Sequence, residues 1–409
     1  MRSLVLMLAF CACVVAADDT AADLEARGAA LKARGDATGA LAVYQQAAAL
    51  DPKSAHFQDE VGFLLAVMNR RDEAIQSFQH ALELDPKYAP AQYHLGAILW
   101  MAQDPARSIP HLQSAAALEP GNFAYQLKYG EVLIAQGEYA DAVPHLRAAV
   151  AANGQHAGAW NSLGMALQKS GDLAASVDAY QHSVDLNPTD NDARNNLGTT
   201  LVYTRRADEG IVQFQKVLDA DPNFNMARVN MAFAYMQKGL LDKAIEQLRE
   251  AIRREPDLAS AHYDLGVALK NSDQIEAGKA ELQRALELDP SLAEAHYTLG
   301  IAYWQTGAFE DAAKEMQAAI ELHPDYGEAY FMLGTALKQK GDLAGAETAL
   351  RKATELTPAD PGPYNTLGQL LRQKGDLEGS KAAFAKGAQA KQTKEAELGR
   401  MLQKKDTVK

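Results

Sequence analysis

The sequence predicts an all-α solenoid built from eleven tandem helix pairs. Three observations predict this fold class: a 34-residue period from residue 21 to residue 394, a Gly at the eighth position of ten blocks, and a Pro at position 32 of nine blocks. A single helix pair cannot bury its apolar face alone, whereas stacked pairs can. We therefore expect most of the 409 residues to form one repeated structural unit.

Residues 1–17 are predicted to be a secretory signal peptide. Arg2 precedes an apolar run that extends over residues 4–15, and Val15 and Ala17 are small residues at the positions that favour cleavage. The run is shorter than the roughly 18 residues that a membrane span needs. We expect export to the bacterial periplasm or the extracellular space, and a mature chain that is soluble.

Both cysteines, Cys11 and Cys13, lie inside this segment. Cleavage after Ala17 leaves a mature chain without a disulfide or a thiolate metal site. Lipid modification of a cysteine is the disfavoured alternative, because the bulky Phe10 precedes Cys11.

The predicted repeats follow one another without insertion or deletion over a predicted solenoid domain of residues 18–394. They span residues 21–54, 55–88, 89–122, 123–156, 157–190, 191–224, 225–258, 259–292, 293–326, 327–360 and 361–394. Residues 395–409 are predicted to be a C-terminal capping helix or tail, since a terminal unit must cover the last apolar face.

The residue pattern within each repeat predicts two helices. The first covers about positions 2–14 and often ends at a Gly-Asp pair, such as Gly171-Asp172, because Gly suits a helix C-terminus and Asp caps the next helix. The second covers about positions 18–30 and ends before Pro, which cannot continue a helix. Small residues at positions 8 and 20 let the two helices approach closely, and a large apolar residue at position 24 fills the space beside them.

This pattern resembles the tetratricopeptide repeat, whose signature is W-x2-L-G-x2-Y, then A-x3-F, then P. Block five carries Trp160, Leu163, Gly164, Tyr180 and Pro188 at the matching positions, although most blocks depart from the signature at the Trp. The resemblance covers about nine tenths of the chain. It implies a right-handed superhelix whose concave groove binds extended peptides or partner helices.

The segment EAHYTLGIAYWQ, residues 294–305, shows that the first helices have two apolar stripes. The stripe expected to hold the repeats together contains His296, Leu299 and Tyr303. The opposite stripe contains Tyr297, Ile301 and Trp304, at positions 5, 9 and 12 of the repeat. The resemblance implies that these three positions face the groove.

Reading positions 5, 9 and 12 along the array gives a candidate partner-binding surface, since exposed apolar stripes usually mark interaction sites. Its predicted residues are Phe63, Tyr93, Trp100, Leu127, Ile134, Met165, Val229, Phe233, Met236, Tyr263, Tyr297, Ile301, Trp304, Phe331, Lys270, Lys338 and Arg372. The alternative is that neighbouring repeats bury some of them as ordinary packing residues.

The face also has a charge pattern. Acidic residues lie at its early end (Glu25, Asp59 and Glu60) and the three basic residues at its late end, which favours an acidic segment or a free carboxylate there. Position 6 carries Asn196, Asn230 and Asp264, which suits hydrogen bonding to a peptide backbone. No block has the Lys-Asn pairing with which chaperone-binding members of the family hold a terminal carboxylate.

The composition argues against several kinds of site. A net charge of −13 is unfavourable for binding nucleic acid. No catalytic or nucleotide-binding motif is found, so we expect no enzyme, no cofactor and no small-molecule substrate. His111 and His145 share one repeat position, and His262 and His296 share another. Because a metal needs three or four convergent ligands, we expect packing roles for these histidines and no metal site.

Three functions remain open. The first is a non-catalytic exported scaffold that binds a protein or peptide in its groove during envelope assembly or secretion. The second is self-association into a homo-oligomer or filament, which a strict monomer in dilute solution, measured by light scattering, would contradict. The third is an accessory subunit of a polysaccharide export or glycosyltransferase system.

Two neighbouring residues give a sharper expectation. Tyr303→Ala is expected to cost about 3–5 kcal/mol by leaving a core cavity. Trp304→Ala is expected to cost about 0.5 kcal/mol or less if its side chain is free on the surface.

Overall fold

The computed structural model describes residues 19–406, with side chains placed through residue 396. All regular structure in this part of the chain is α-helical, and the helices alternate as first and second members of helix-turn-helix pairs. The predicted fold class is confirmed. The predicted signal peptide lies outside the described residues.

The first helices are all 13 or 14 residues long, and each begins at the first position of a predicted block. They are α1 (Ala21–Ala33), α3 (Ala55–Val67), α5 (Ala89–Met101), α7 (Phe123–Ala135), α9 (Ala157–Lys169), α11 (Asn191–Tyr203), α13 (Asn225–Gln237), α15 (Ala259–Asn271), α17 (Ala293–Gln305), α19 (Gly327–Lys340) and α21 (Pro361–Gln373).

The second helices begin at position 17 of each block. They are α2 (Ala37–Leu50), α4 (Arg71–Leu84), α6 (Pro105–Leu118), α8 (Tyr139–Ala152), α10 (Leu173–Leu186), α12 (Ala207–Ala220), α14 (Leu241–Arg254), α16 (Ile275–Leu288), α18 (Phe309–Leu322), α20 (Leu343–Leu356) and α22 (Leu377–Asp406). The last of these continues into the predicted capping segment, as far as Asp406, as one helix of 30 residues.

The turn inside each pair requires a left-handed residue at position 15. Seven of these residues are glycines, with φ from 71° to 94°. Asn69, Gln103, Arg205 and Asp273 take φ of about 60° at the same position in the other four pairs. The next residue caps the second helix when it is Asp: the carboxylates of Asp36 and Asp172, for example, accept the backbone N–H of position 19. The predicted Gly-Asp turn is therefore confirmed.

The two helices of a pair meet through positions 8, 20 and 24. A Cβ added to Gly198 would lie 2.6 Å from the ring of Phe214, which is fully buried. Position 20 is small for the same reason, and where it is Ser the hydroxyl donates to the backbone of position 8, as from Ser176 to Gly164 O at 2.8 Å. These contacts leave no room for a Cβ at position 8, which explains why Gly recurs there.

The chain divides into two compact units, with the boundary between Ala193 and Arg194 inside α11. In unit one, consecutive first helices contact each other directly, as α3 does with α5 and α7 does with α9. In unit two, α13 contacts α15, and the same contact repeats through α21. Within each unit the first helices therefore lie side by side. No helix in the described part of the chain has both the length and the apolar character that a membrane crossing requires.

Candidate partner-binding face

We call positions 5, 9 and 12 of the first helices the first-helix face. Fifteen of the seventeen predicted residues on it are half-buried, so neighbouring repeats cover part of each side chain. Arg372 is exposed and Val229 is buried.

The prediction for Val229 is wrong, because this side chain is only 5% exposed. It belongs to the buried cluster that includes Ala261 and Leu265 of the next first helix. Val is short and β-branched, so the neighbouring helix covers it completely. Its role is packing between α13 and α15.

Trp304 also differs from expectation, because it is half-buried. It packs against the buried cluster that contains Met316 and Leu333. Its indole Nε1 is enclosed, and no acceptor for it is found among the described residues. Its neighbour Tyr303 is half-buried as well, and its hydroxyl accepts a 2.9 Å hydrogen bond from Gln283. Tyr303 and Trp304 therefore do not separate cleanly into core and surface.

We now expect Trp304→Ala to lower the free energy of unfolding by about 1–3 kcal/mol, since it removes partly buried apolar surface. Trp304→Phe should lower the free energy of unfolding less than Trp304→Ala does. It keeps an aromatic ring at this position and removes an enclosed N–H that has no partner. Urea denaturation of the three proteins checks this. A Trp304→Phe variant as unstable as Trp304→Ala would show that the N–H has a partner in solution.

A pocket of about 200 Å³ lies between consecutive repeats of unit one. Phe63 at position 9 and Phe78 at position 24 form one wall, and His94 at position 6 of the next repeat forms another. His94 Nδ1 donates to Asp59 Oδ1 at 2.8 Å, and the rings of His94 and Phe63 are 5.5 Å apart. Met101, which is 70% exposed, lies at the rim. We call this the unit-one pocket.

Unit two contains a pocket at the equivalent repeat positions, with a volume of about 170 Å³. Thr199 and Phe214 occupy positions 9 and 24, and Asn230 and Phe233 occupy positions 6 and 9 of the next repeat. Tyr203 at position 13 lies at the rim and is 53% exposed. We call this the unit-two pocket. Positions 9 and 24 of one repeat and positions 6 and 9 of the next therefore line a pocket in both units, whereas Met101 belongs to the second repeat and Tyr203 to the first.

Asp264 gives the unit-two pocket its only carboxylate among the lining residues. Burial raises the pKa of Asp264 from its usual range to about 7. No hydrogen bond to this carboxylate is found within the described part of the chain. The predicted position-6 run thus contributes two of its members, Asn230 and Asp264, to this pocket. Asn196 is half-buried at the same position of the preceding repeat.

The acidic residues at the early end of the face have partners. Glu25 contacts His56 at 3.0 Å, and Glu60 accepts a 2.5 Å hydrogen bond from Lys32. Asp59 contacts His94 at 2.8 Å. All three acidic side chains therefore already have a partner within the protein.

The late-end cations are more available. Lys338 donates to the amide oxygen of Gln369 at 3.3 Å, and burial lowers the pKa of Lys270. Within residues 19–396, no ion pair involves Lys270, Lys338 or Arg372. The guess that an acidic group binds here stays a prediction.

The four paired histidines form hydrogen bonds within their own repeats. His111 and His145 at position 23 donate to glutamines at position 4, at 2.6 and 2.8 Å. His262 and His296 reverse the arrangement, with the histidine at position 4 and a glutamate at position 23, both at 2.6 Å. Over the described residues, no group of three side chains suited to holding a metal ion is found. The histidines join the two helices of a repeat.

The sequence analysis missed two kinds of pocket residue. Position 13 supplies the rim residues Met101 and Tyr203, and position 24, assigned to the core, also supplies the pocket walls. The sequence contained a signal for the position-13 residues, because most other blocks have a small or polar residue there.

Comparison with protein families finds tetratricopeptide repeat models over much of the chain. Models described as "Tetratricopeptide repeat" match residues 127–191, 263–325, 297–361 and 362–394, and one described as "TPR repeat" matches residues 68–103 and 233–273. No curated protein sequence matches the chain significantly.

Several solved structures are similar. A crystal structure of MamA is 32% identical over 39% of this chain and 94% of its own, with a TM-score of 0.37. YrrB, described as a TPR protein with an unusual peptide-binding site, is 22% identical over 46% of this chain and 96% of its own, with a TM-score of 0.38. Yeast Tom70 is 15% identical over 93% of this chain and 96% of its own, with a TM-score of 0.49.

Proposed function

We propose a function from the premise that this chain belongs to the tetratricopeptide repeat family: it is a non-catalytic scaffold that binds an extended segment of a protein partner along the first-helix face. The observation that carries the proposal is the recurrence of one inter-repeat pocket at equivalent positions in both units. A pocket that recurs with the repeat suits a ligand that is itself a chain, because successive side chains can enter successive pockets.

The chemistry of the pockets supports a peptide rather than an apolar small molecule. Each combines aromatic walls with one polar side chain at position 6, His94 in unit one and Asn230 in unit two. Aromatic residues supply contact area at low entropic cost, and the polar group sets orientation. The late-end cations add a second kind of contact for acidic groups of the same segment.

Phe233→Ala should weaken binding of a peptide selected on the protein by about tenfold, because aromatic residues in such pockets dominate binding energy. The peptide comes from a phage-displayed random dodecapeptide library panned against the full chain. Fluorescence anisotropy with the labelled synthetic peptide measures the dissociation constant of its complex with each protein variant.

The matched control is Val212→Ala. Val212 lies on second helix α12 and is 51% exposed, so its truncation should leave the dissociation constant unchanged. Phe63→Ala gives an independent variant in unit one, and thermal melting confirms that each variant is folded. Equal affinity for the wild type, Phe233→Ala and Phe63→Ala would overturn the first-helix face as the binding surface.

We further propose that the protein is exported and acts in assembly or secretion at a bacterial cell envelope. Support comes from the sequence of residues 1–17 alone. When the full gene is expressed in a Gram-negative host, the mature protein should be recovered from the periplasmic fraction with Asp18 as its first residue. Edman sequencing or intact mass checks this. An intact Met1, or an N-terminal lipidated cysteine, would contradict the cleavage after Ala17.

A further inference from the structure

A polar link between neighbouring repeats occurs in both units at the same pair of positions. Position 5 of one repeat and position 6 of the next are joined by Asp59 and His94 in unit one, at 2.8 Å. Asn195 and Asn230 are joined in unit two, where Asn230 Nδ2 donates to Asn195 Oδ1 at 3.0 Å. In each case the link satisfies the position-6 side chain beside the pocket.

The following pair of repeats breaks this link. Asp264 occupies position 6, but the position-5 residue before it is Val229, which is buried and cannot donate a hydrogen bond. The Asp264 carboxylate therefore lines the unit-two pocket without the partner that its equivalents have. The Asp264 side chain is half-buried and has no hydrogen-bond donor among residues 19–396, so its ionised form is unfavourable unless a cation from outside the chain pairs with it.

We infer that the unit-two pocket receives the cationic side chain of a lysine or arginine from the bound partner segment, with Asp264 as its counter-ion. This inference rests on the proposed function, and it names the chemistry of one position in the ligand. It differs from the acidic group expected at the late end of the face, because the charge that faces this pocket is negative.

The remaining polar atoms of the pocket favour the same occupant. Asn230 donates one N–H to Asn195, and its Oδ1 is available as an acceptor. The Thr199 hydroxyl donates to Asn195 O at 2.9 Å, which leaves its lone pairs as acceptors. Together with the Asp264 carboxylate, the pocket offers acceptors. Lysine and arginine are the cationic side chains that carry only donors, so they suit a site that offers acceptors and a carboxylate.

The walls and the size agree with a cation on an aliphatic stem. The rings of Tyr203 and Phe233 lie 6.1 Å apart at the pocket, and aromatic faces attract ammonium and guanidinium groups. A volume of about 170 Å³ accepts a group of a few non-hydrogen atoms. Burial raises the pKa of Asp264 to about 7, and a bound cation would favour its ionised form again. The net charge of −13 also favours approach of a basic segment.

The test uses the panned dodecapeptide library on two full-length proteins, the wild type and Asp264→Asn. Peptides selected by the wild type should be enriched in Lys and Arg, and those selected by Asp264→Asn should not. One wild-type peptide is then synthesised with its basic residue and with norleucine in its place. Norleucine should weaken binding to the wild type by roughly tenfold or more, and should change binding to Asp264→Asn little.

Val229→Asn is the matched second variant. It keeps the carboxylate but restores a donor at position 5, so the introduced amide should donate to Asp264 and weaken binding of the basic peptide several-fold. Thermal melting shows whether this variant is folded, and the Asp264→Asn and norleucine measurements decide the question without it.

Two results would overturn the inference. If norleucine peptides bind the wild type as well as lysine peptides do, or if Asp264→Asn leaves the affinity unchanged, then Asp264 is not the counter-ion of a bound cation. In that case, binding that still depends on Phe233 leaves the proposed function standing. If the wild type selects no peptide at all, both the inference and the proposed function fail.

Discussion

Phe214→Ala should lower the free energy of unfolding by about 3–5 kcal/mol, which is the usual cost of removing a fully buried aromatic ring. Phe214 has no exposed surface and fills the space that Gly198 leaves between α11 and α12. The vacated space cannot close easily, because α12 also packs against α13 of the next repeat. Urea denaturation followed by circular dichroism measures the loss.

The neighbouring Val212→Ala variant is the control for this measurement. Val212 lies on the same helix, but it is 51% exposed, so its truncation should change stability by about 0.5 kcal/mol or less. In a repeat array each unit contacts only its neighbours, and the loss at Phe214 should therefore appear as early unfolding of the adjacent repeats. Equal midpoints for the two variants would show that position 24 does not carry the packing of the pair.

Asp264→Asn should stabilise the protein above neutral pH, by about 2–3 kcal/mol. The pKa of Asp264 is about 7 in the folded protein, against about 3.9 for an unfolded aspartate. The folded state therefore binds more protons than the unfolded state between these values, and stability is lost as the pH rises through this window. A pKa difference of this size corresponds to about 4 kcal/mol, and we reduce this figure because the side chain is partly exposed.

Thermal melting from pH 4 to pH 9 tests this prediction. The difference in melting temperature between Asp264→Asn and the wild type should grow from pH 4 to about pH 7 and then stay constant. Asp325→Asn, at an exposed turn, should give a curve parallel to that of the wild type. A difference between Asp264→Asn and the wild type that is independent of pH would mean that Asp264 ionises normally in the folded protein.

The residues that recur at each repeat position predicted the fold, because each of these positions has a single packing or backbone requirement. Gly at position 8 accepts a large side chain from position 24, as Gly164 accepts Tyr180, and the turn at position 15 requires a left-handed residue. Asn69 and Asp273 at position 15 are residue types that tolerate a left-handed backbone, whereas Gln103 and Arg205 could not be predicted there from propensity alone. They adopt this geometry because the packed helices on both sides impose it.

The candidate site was less predictable. The columns placed Phe63 and Phe233 on the first-helix face, but they did not show that Val229 is covered or that Trp304 is half-buried. How deeply a side chain on this face is buried depends on the size of its neighbours in the next repeat. The residues at one repeat position do not show what those neighbours are.

By itself, the sequence determined the helix pairs, their turns and their number, because these follow from contacts within one 34-residue period. Only the tertiary structure decided which polar groups on that face are satisfied. Asp59 and Asn195 find partners one repeat away, whereas Asp264 meets Val229 and finds none. The physical reason is that a hydrogen bond between repeats depends on two positions that are 35 residues apart, and only the packed helices bring them together.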